Sequence, residues 1–379
     1  MGVVIGQGGS DDSQPQRGTL EAARRVRKQL GGATADVVLV FLAGGHLAAS
    51  SETLAVIGDV LEPGALVGVA ASAVLANGGQ LVGRSTVAIW AARLGGGSAT
   101  VVEAPAGRDV PPLAQNDVDA ATAVILLPDR RSFPIWQRLD EVSGLLQGVP
   151  VLGGCASAHL PDDEPTLFVG ERPARGGLLA VVLRDVEVLP VVAMGQVPVG
   201  RELVVSAADR HVVHELSGRP AVTALQEALD ALAPEERQLL DGGVGLGLVH
   251  DGQSAGWSAR KILSTDAVTG AIAIGSTVDR GQGVRLLANS RIEAERALRD
   301  GLRLAGRALG GKPPAGTLVF ACTSRDVAFF GHDGHDAAIV AEAFPSSPSA
   351  GLVSQGEIGP VEGAARALAL ATVVAVMPA

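Results

Sequence analysis

Apolar residues run almost unbroken through 37–43, 123–127 and 318–322. That is the pattern of strands covered on both faces, not the alternation of a half-exposed strand. After each run, apolar residues recur at helical spacing, and further strand-like stretches follow. In the first copy the helix is Ser50–Leu61, stopped by Pro63-Gly64, and the strands are 65–74 and 86–92. In the second the helix is 134–147 and the strands are 149–158, 166–169 and Leu178–Leu183. In the third the helix is 335–344 and the strands are 349–353 and 368–377. The pattern predicts an α/β fold of mixed β-sheets with outer helices, internally repeated as three strand–helix–strand–strand units. The spacing between copies varies, so a solenoid is not expected. A further helix is predicted over 18–30, with Thr19 near its start and Gly31-Gly32 ending it.

The third element of each copy shares a signature: Leu66-Val67-Gly68-Val69-Ala70-Ala71-Ser72, then Val151-Leu152-Gly153-Gly154-Cys155-Ala156-Ser157, then Ala350-Gly351-Leu352-Val353-Ser354. A glycine inside a strand marks a bulge or a close backbone approach. Ser72, Ser157 and Ser354 then fall near strand ends, where α/β folds gather ligand contacts. Two readings stay open: these serines line a pocket, or the glycines give tight packing and the serines bond turn amides.

Between the second and third copies the pattern changes. A strand over 188–195, a hairpin over 203–207 and 211–216, and a helix over 220–232 are predicted. Strands follow at 244–250, 258–263, 271–274 and 284–288, with a turn at 266–270 and a long helix over 291–309. A boundary is expected within 206–220. The division is therefore an N-terminal strand and helix over 1–34, a first domain over 35–210 and a second over 211–379.

The length of 379 residues, with 47% hydrophobic and 18% charged residues, is that of a folded chain with a large core. The net charge of −10 and the absence of a basic stripe argue against nucleic acid as a partner. Tyr is absent, so an aromatic cage or a base-stacking platform is not expected. No apolar stretch reaches the length of a membrane span, and the N-terminus lacks the pattern of a secretory signal. Cys155 and Cys322 stand in apolar runs outside any Cys-x-x-Cys, which fits a reduced, cytoplasmic setting without zinc.

The candidate chemistry is sparse. Arg325 follows a strand end, where a guanidinium can clamp a carboxylate; a plain salt bridge is the other reading. Glu357 sits beside Gly356 in Gly356-Glu357-Ile358-Gly359 and could hold an ammonium group. Arg325 and Glu357 would then match the two ends of an amino acid, or they pair with each other. Cys322 and Cys155 are nucleophiles only with a base alongside. In His332-Asp333-Gly334-His335-Asp336 a helix entry with Asp336 near the cap explains the residues better than a metal site does. Gly6-Gln7-Gly8-Gly9-Ser10-Asp11 lacks the spacing and the lysine of a nucleotide loop. No catalytic residue, cofactor or metal is assigned.

The C-terminal third resembles the FIST C-terminal domain through Phe320-Ala321-Cys322-Thr323-Ser324-Arg325, Phe330-Gly331, His335-Asp336 and, most specifically, Gly356-Glu357-Ile358-Gly359-Pro360. Arg260-Lys261-Ile262-Leu263 adds to it. The first half is similar to the FIST N-terminal domain through Val67-Gly68, Leu127-Pro128-Asp129, Gly153-Gly154-Cys155-Ala156-Ser157 and Gly195-Gln196-Val197-Pro198-Val199-Gly200. The resemblance implies two FIST-type halves sharing a core and an intracellular sensory protein that binds a small ligand such as an amino acid. It implies a signalling protein partner and leaves homo-oligomerisation open. Residues expected at the ligand are Arg325, Glu357, Ser354, Gly356, Ser72, Ser157 and Cys322. Two departures stand out: Asp326 replaces a glycine of the family pattern, and Ala367-Leu368-Ala369-Leu370 lacks the family's histidine. The alternatives are a hydrolase using a serine or cysteine at the strand ends, and an interaction scaffold without ligand.

Overall fold

In the computed structural model, which describes residues 2–104, 113–162, 164–249, 257–260 and 262–379, the three apolar runs are the central strands of three six-stranded sheets. They span Val37–Gly44, Ala123–Pro128 and Gly316–Cys322, and all their residues but Gly44 are buried. Burial on both faces is what allows unbroken apolar sequence, each such side chain contributing about 1.5–3 kcal/mol.

The predicted repeat is present. In each sheet the central strand pairs in parallel with the strand after its helix: Val37–Gly44 with Ala65–Ala70, Ala123–Pro128 with Val151–Gly154, and Gly316–Cys322 with Ser349–Ser354. On its other side it pairs antiparallel with Ser85–Arg93, Leu178–Arg184 and Ala371–Met377 respectively. An outer strand follows in each sheet: Val4–Ser10, Ser98–Ala104 and Leu189–Met194. The first is the strand expected within 1–34, and the sequence pattern did not reveal the second. Ser98–Ala104 is mostly half-exposed and carries no clear apolar run.

The remaining edge of each sheet is completed by chain from another copy. The first sheet takes Leu167–Val169 and Arg172–Pro173 from the segment after the second copy's parallel strand. The second takes Glu357–Val361 and Ala364–Leu368 from the segment after the third's. The third takes Val74–Ala76 and Gly79–Gln80 from the segment after the first's. The exchange is cyclic, and it corrects three strand predictions. The stretch 65–74 breaks at Ala71–Ala73, 149–158 ends at Gly154, and 368–377 divides between Leu368 and Ala371. At the first two breaks the chain leaves one sheet for another, so an apolar run continues although the strand does not.

Glycines admit the close contacts. A Cβ on Gly8 would lie 2.5 Å from the Ala22 carbonyl oxygen, so Gly8 lets the helix Pro15–Gln29 lie down on Val4–Ser10. That helix and Ser50–Leu61 bury Ala22, Ala23 and Val26 with Leu54, Ile57 and Leu61. A Cβ on Gly153 would stand 1.9 Å from the Leu126 oxygen, and one on Gly351 1.8 Å from the Val319 oxygen.

Contacts divide the chain into two compact units: Met1–Ala193 with Leu298–Ala367 and Ala371–Ala379, and Met194–Ala297 with Leu368–Leu370. The units are discontinuous in sequence, whereas the domains read from sequence are continuous stretches. The first unit contains the three sheets. The second is an eight-stranded sheet running from Trp257–Arg260 through Val244–Val249, Gly283–Asn289, Gln196–Asp209 and Val212–Leu216 to Ile272–Ile274 and Ile262–Thr265, with the short strand Arg219–Pro220 also paired to Val212–Leu216. The helix Ala221–Asp230 buries Ala221, Ala224, Leu225 and Ala228 in that unit's core. His250 and Lys261, which fall within two sequence-read strands, lie outside the described residues. No described helix is long and apolar enough to cross a membrane.

Gly153 also has φ +152°, a conformation costly to other residues. Gly153→Ala is expected to lower stability by about 3 kcal/mol or more, while Gly96→Ala, which faces open space, should change it by less than about 0.5 kcal/mol. Urea unfolding followed by circular dichroism checks both.

Candidate functional site

Where the strand ends of the three sheets meet, the serines bond to one another and to backbone. Ser157 Oγ accepts from the Ser72 amide at 2.9 Å, lies 3.2 Å from Ser72 Oγ, and donates to the Val353 carbonyl. Ser354 Oγ donates to the Gly356 carbonyl at 2.8 Å. A Cβ on Gly154 would come within 2.8 Å of Ser354 Oγ. The Ser72 and Ser157 hydroxyls therefore tie the strand tips together and the Ser354 hydroxyl closes its own turn, with no histidine or lysine among these partners.

Beside this junction lies a cavity of about 240 Å³ at the end of the Gly316–Cys322 strand. Ser72, Gln80, Cys322, Thr323, Arg325, Asp326 and the first residues of the helix His335–Ala343 line it. A larger cavity of about 740 Å³ runs past Arg303, Arg307, Lys312 and Phe344; none of the strand-end residues lines it.

The local sequence shapes the smaller cavity. After Cys322 the chain turns, with the Thr323 amide donating to the Ser354 carbonyl and the Arg325 amide to the Cys322 carbonyl. Asp326 accepts from the amides of Ala328 and Phe329 and so caps the short helix Val327–Phe330. This is the job done by the residue that departs from the family pattern. Gly331 and Gly334, at φ 86° and 71°, then turn the chain into the helix His335–Ala343.

The expected helix entry is there with Asp336 in the first turn, but its side chain makes no cap bond. Gly334 occupies the cap, and the Asp336 carboxylate points to Arg325, taking Nε at 2.7 Å and Nη2 at 2.8 Å. Both side chains are almost wholly buried, at 0% and 3% exposure. His335 Nδ1 lies 3.1 Å from Asp336 Oδ1, and Thr372 donates to Oδ2. Burial by itself would raise the Asp336 pKa. The Arg325 charge and the hydrogen bonds from Arg325, His335 and Thr372 outweigh it and hold this carboxyl well below the usual range. The Phe330 ring stacks on His335 at 3.6 Å and lies 5.1 Å beneath the Arg325 guanidinium. Sequence reasoning missed Asp336 and Thr372 as partners of Arg325. The adjacent His335-Asp336 pair was a usable signal; nothing in the sequence pointed to Thr372.

Glu357 is placed differently. It is fully buried in the strand that completes the second sheet, opposite Gly154. Its Oε2 accepts from the Ala371 amide at 3.4 Å, it takes a hydrogen bond from the Cys322 thiol, and Oε1 has no partner among the described residues. Burial raises its pKa to about 8, against the lowering effect of those bonds and of Arg325, so the carboxyl is mostly protonated at neutral pH. Cys155 is fully buried, and burial pushes its thiol up strongly. Of the seven residues expected at a ligand, Arg325, Ser72 and Cys322 line the cavity. Ser157, Ser354, Gly356 and Glu357 pack behind it and do not line it. Arg325 meets Asp336 in an ion pair, and Glu357 meets Cys322.

The corresponding turns of the other two sheets differ. His46 is buried with Nδ1 3.0 Å from Thr53 Oγ1, and burial lowers its pKa to about 4. Arg131 pairs with Asp129 at 3.2 Å and donates to the carbonyls of Pro161 and Glu164.

Comparison with known proteins agrees with the sequence resemblance. Residues 36–219 match the family model of the FIST N domain and residues 221–360 that of the FIST C domain. The uncharacterized protein Rv0628c of Mycobacterium tuberculosis strain H37Rv is 32% identical over 368 residues, covering 95% of each chain. The uncharacterized protein Mb0898c of Mycobacterium bovis is 29% identical over 370 residues, again covering 95% of each.

Two outcomes follow from the buried charges. Arg325→Met strands the Asp336 carboxylate and should cost about 3–5 kcal/mol, much of it recovered in Arg325→Met/Asp336→Leu, as urea unfolding of both variants would show. Glu357 keeps its proton in the native state up to about 8, whereas the unfolded chain loses it near 4.5. The native state then binds more protons between those values, so this group's contribution to stability falls as the pH rises through that window. Glu357→Gln should remove that fall, measured as unfolding free energy against pH for both proteins.

Proposed function

The chain belongs to the FIST family, and on that premise we propose that it is a sensory protein that binds a small polar metabolite, an amino acid or a related compound, in the cavity at the end of the Gly316–Cys322 strand. The observation that carries this reading is a small cavity walled on one side by a fully paired buried charge network. Arg325 and His335, both bonded to Asp336, are set rigidly there, which keeps the loss of side-chain freedom on binding small. The lining mixes both signs and apolar surface. The opening turn of His335–Ala343 favours a carboxylate, Asp326 and Asp333 favour an ammonium group, and Leu75, Ala321 and Val353 contact carbon. At about 240 Å³ the cavity suits a metabolite smaller than a drug-sized ligand.

In this reading Ser72 and Cys322 touch the ligand, and Arg325, its guanidinium buried against Asp336, braces the turn that forms the wall. Ser157, Ser354, Gly356 and Glu357 hold the strand ends that form the wall. The cavity takes its wall from the third sheet's own strands and from the Val74–Ala76 and Gly79–Gln80 strands of the first copy. A ligand that shifts one of these relative to the other supplies the conformational change that a signalling partner reads. A receptor working inside a cell and responding to metabolite concentration accords with the family.

A ligand that binds only the native state, at about a hundredfold excess over Kd, adds about 2.7 kcal/mol to its stability. A thermal-shift screen of amino acids and small carboxylates should therefore find a compound that raises Tm by several degrees. Gln80→Trp, at a half-buried position on the lining, should abolish that rise while leaving the unliganded Tm near that of the unsubstituted protein. A panel that moves Tm equally in both proteins, or in neither, would rule out this cavity as the binding site.

A further inference from the structure

The open groove past Arg303, Arg307 and Lys312 takes no part in the site described above. The protein carries a net charge of −10, yet among the described residues no carboxylate lines this groove of about 740 Å³. Arg307 and Lys312 are exposed and have no ion-pair partner among the described residues. Arg303 pairs with Asp300 at 3.2 Å, but both side chains are about half exposed, and such a surface pair is weak. Two walls form the groove. One is the end of the helix Arg291–Ala308, with Arg303, Gly306 and Arg307; the other is the end of His335–Ala343, with Phe344 and Pro345. The walls meet at Gly306, where a Cβ would lie 3.7 Å from the Phe344 ring, an ordinary contact. Packing therefore does not demand glycine there, and glycine inside a helix costs stability relative to alanine. Its missing side chain leaves the floor open between the two arginines.

We propose that this groove docks an extended acidic peptide segment of a partner protein, with two acidic side chains separated by one residue. Arg303 and Arg307 stand about one helical turn apart, about 6 Å along the axis. In an extended peptide, side chains at i and i+2 share a face and lie about 6.6 Å apart. Two carboxylates at that spacing meet one guanidinium each, a pairing that arginine favours. The residue between them turns to the opposite wall, where Phe344 and Pro345 offer apolar surface. Lys312, past the helix end, extends the positive lining.

A peptide fits this groove better than a phosphate, a nucleic acid or a lipid headgroup does. Both helices end at it, and a helix C-terminus carries partial negative charge and carbonyls short of intrahelical donors. Ionised phosphate oxygens accept hydrogen bonds and are repelled by such carbonyls, whereas the N–H groups of a peptide donate to them. The groove is also placed to serve the signalling partner of the receptor reading. His335–Ala343 lines the metabolite cavity with its first residues and this groove with its end, so one helix joins the two. That link rests on the receptor reading; peptide binding by itself does not.

The test is fluorescence anisotropy of the full native chain, without metabolite, against fluorescein-labelled peptides Ser-Asp-X-Glu-Ser in which X runs over the apolar residues. At least one should bind, and its affinity should fall at least about tenfold in Arg307→Glu, in Lys312→Glu, and when its two acids are replaced by Asn and Gln. Arg24→Glu makes the same change in net charge at an exposed position on the helix Pro15–Gln29 and should stay within about twofold, because salt screens an exposed charge outside the groove. All three substituted positions are exposed, so the fold should persist, and the Tm of each variant checks it. Should Arg307→Glu fail to fold, Lys312→Glu and the Asn/Gln peptide still decide. Failure of every peptide to bind at low ionic strength overturns the proposal, and so does an equal loss in Arg24→Glu. Tighter binding of inorganic phosphate, a single-stranded oligonucleotide or phosphatidylserine vesicles, lost in Arg307→Glu, assigns the groove to that ligand and overturns the peptide. Peptide binding in a protein that no metabolite stabilises supports the docking groove and counts against the receptor reading. Stabilisation by a metabolite with no peptide bound supports the receptor reading and overturns this inference.

Discussion

Each parallel strand pair in the first unit has an edge that its own copy does not cover, and an uncovered edge exposes a row of unpaired amides and carbonyls. The chain meets this constraint by passing a hairpin from each copy to another sheet, in a closed cycle of three. None of the three sheets is then complete without another copy's hairpin. The crossing points fall at Ser72, Ser157 and Ser354, and their hydroxyls satisfy neighbouring backbone or one another. The strand tips are thus fixed by hydrogen bonds between copies, and a cavity beside them inherits a rigid wall.

On that wall and behind it, two buried carboxyls, Asp336 and Glu357, are held in opposite states. Asp336 faces the Arg325 guanidinium and two further hydrogen-bond partners, His335 and Thr372, and stays ionised; Glu357 faces a thiol and one long amide bond, and burial keeps it mostly protonated. Both are excluded from water, so the difference comes from partners. The two other copies use the corresponding turn for a neutral buried histidine and for an arginine that binds loop carbonyls. The charged network is a feature of the third copy, set into a common framework.

Much of the framework was legible in sequence because it depends on local periodicity. Central strands buried on both faces must be apolar throughout, and the helices between them must present one apolar stripe, so both leave marks within a dozen residues. The helices Pro15–Gln29, Ser50–Leu61 and Arg291–Ala308 fall within a few residues of where the pattern puts them. A strand was expected within 1–34, but its extent through Gly6 and Gly8 was not, because glycines that admit a helix backbone read as a loop composition. The site was legible only by residue type. Arg325, Cys322 and Glu357 stood out, but their partners Asp336 and Thr372 are set by distance in space.

By itself, then, the sequence determined the α/β class, the three copies, the glycines at the strand ends and the family, since each is written in short-range pattern or motif. Only the tertiary structure decided which sheet each hairpin joins, that Arg325 pairs with Asp336, and that Glu357 lies against Cys322 behind the cavity. Edge pairing uses backbone groups that every residue carries, and a buried carboxyl takes whichever donor the packing brings near. Neither choice leaves a trace in the order of side chains.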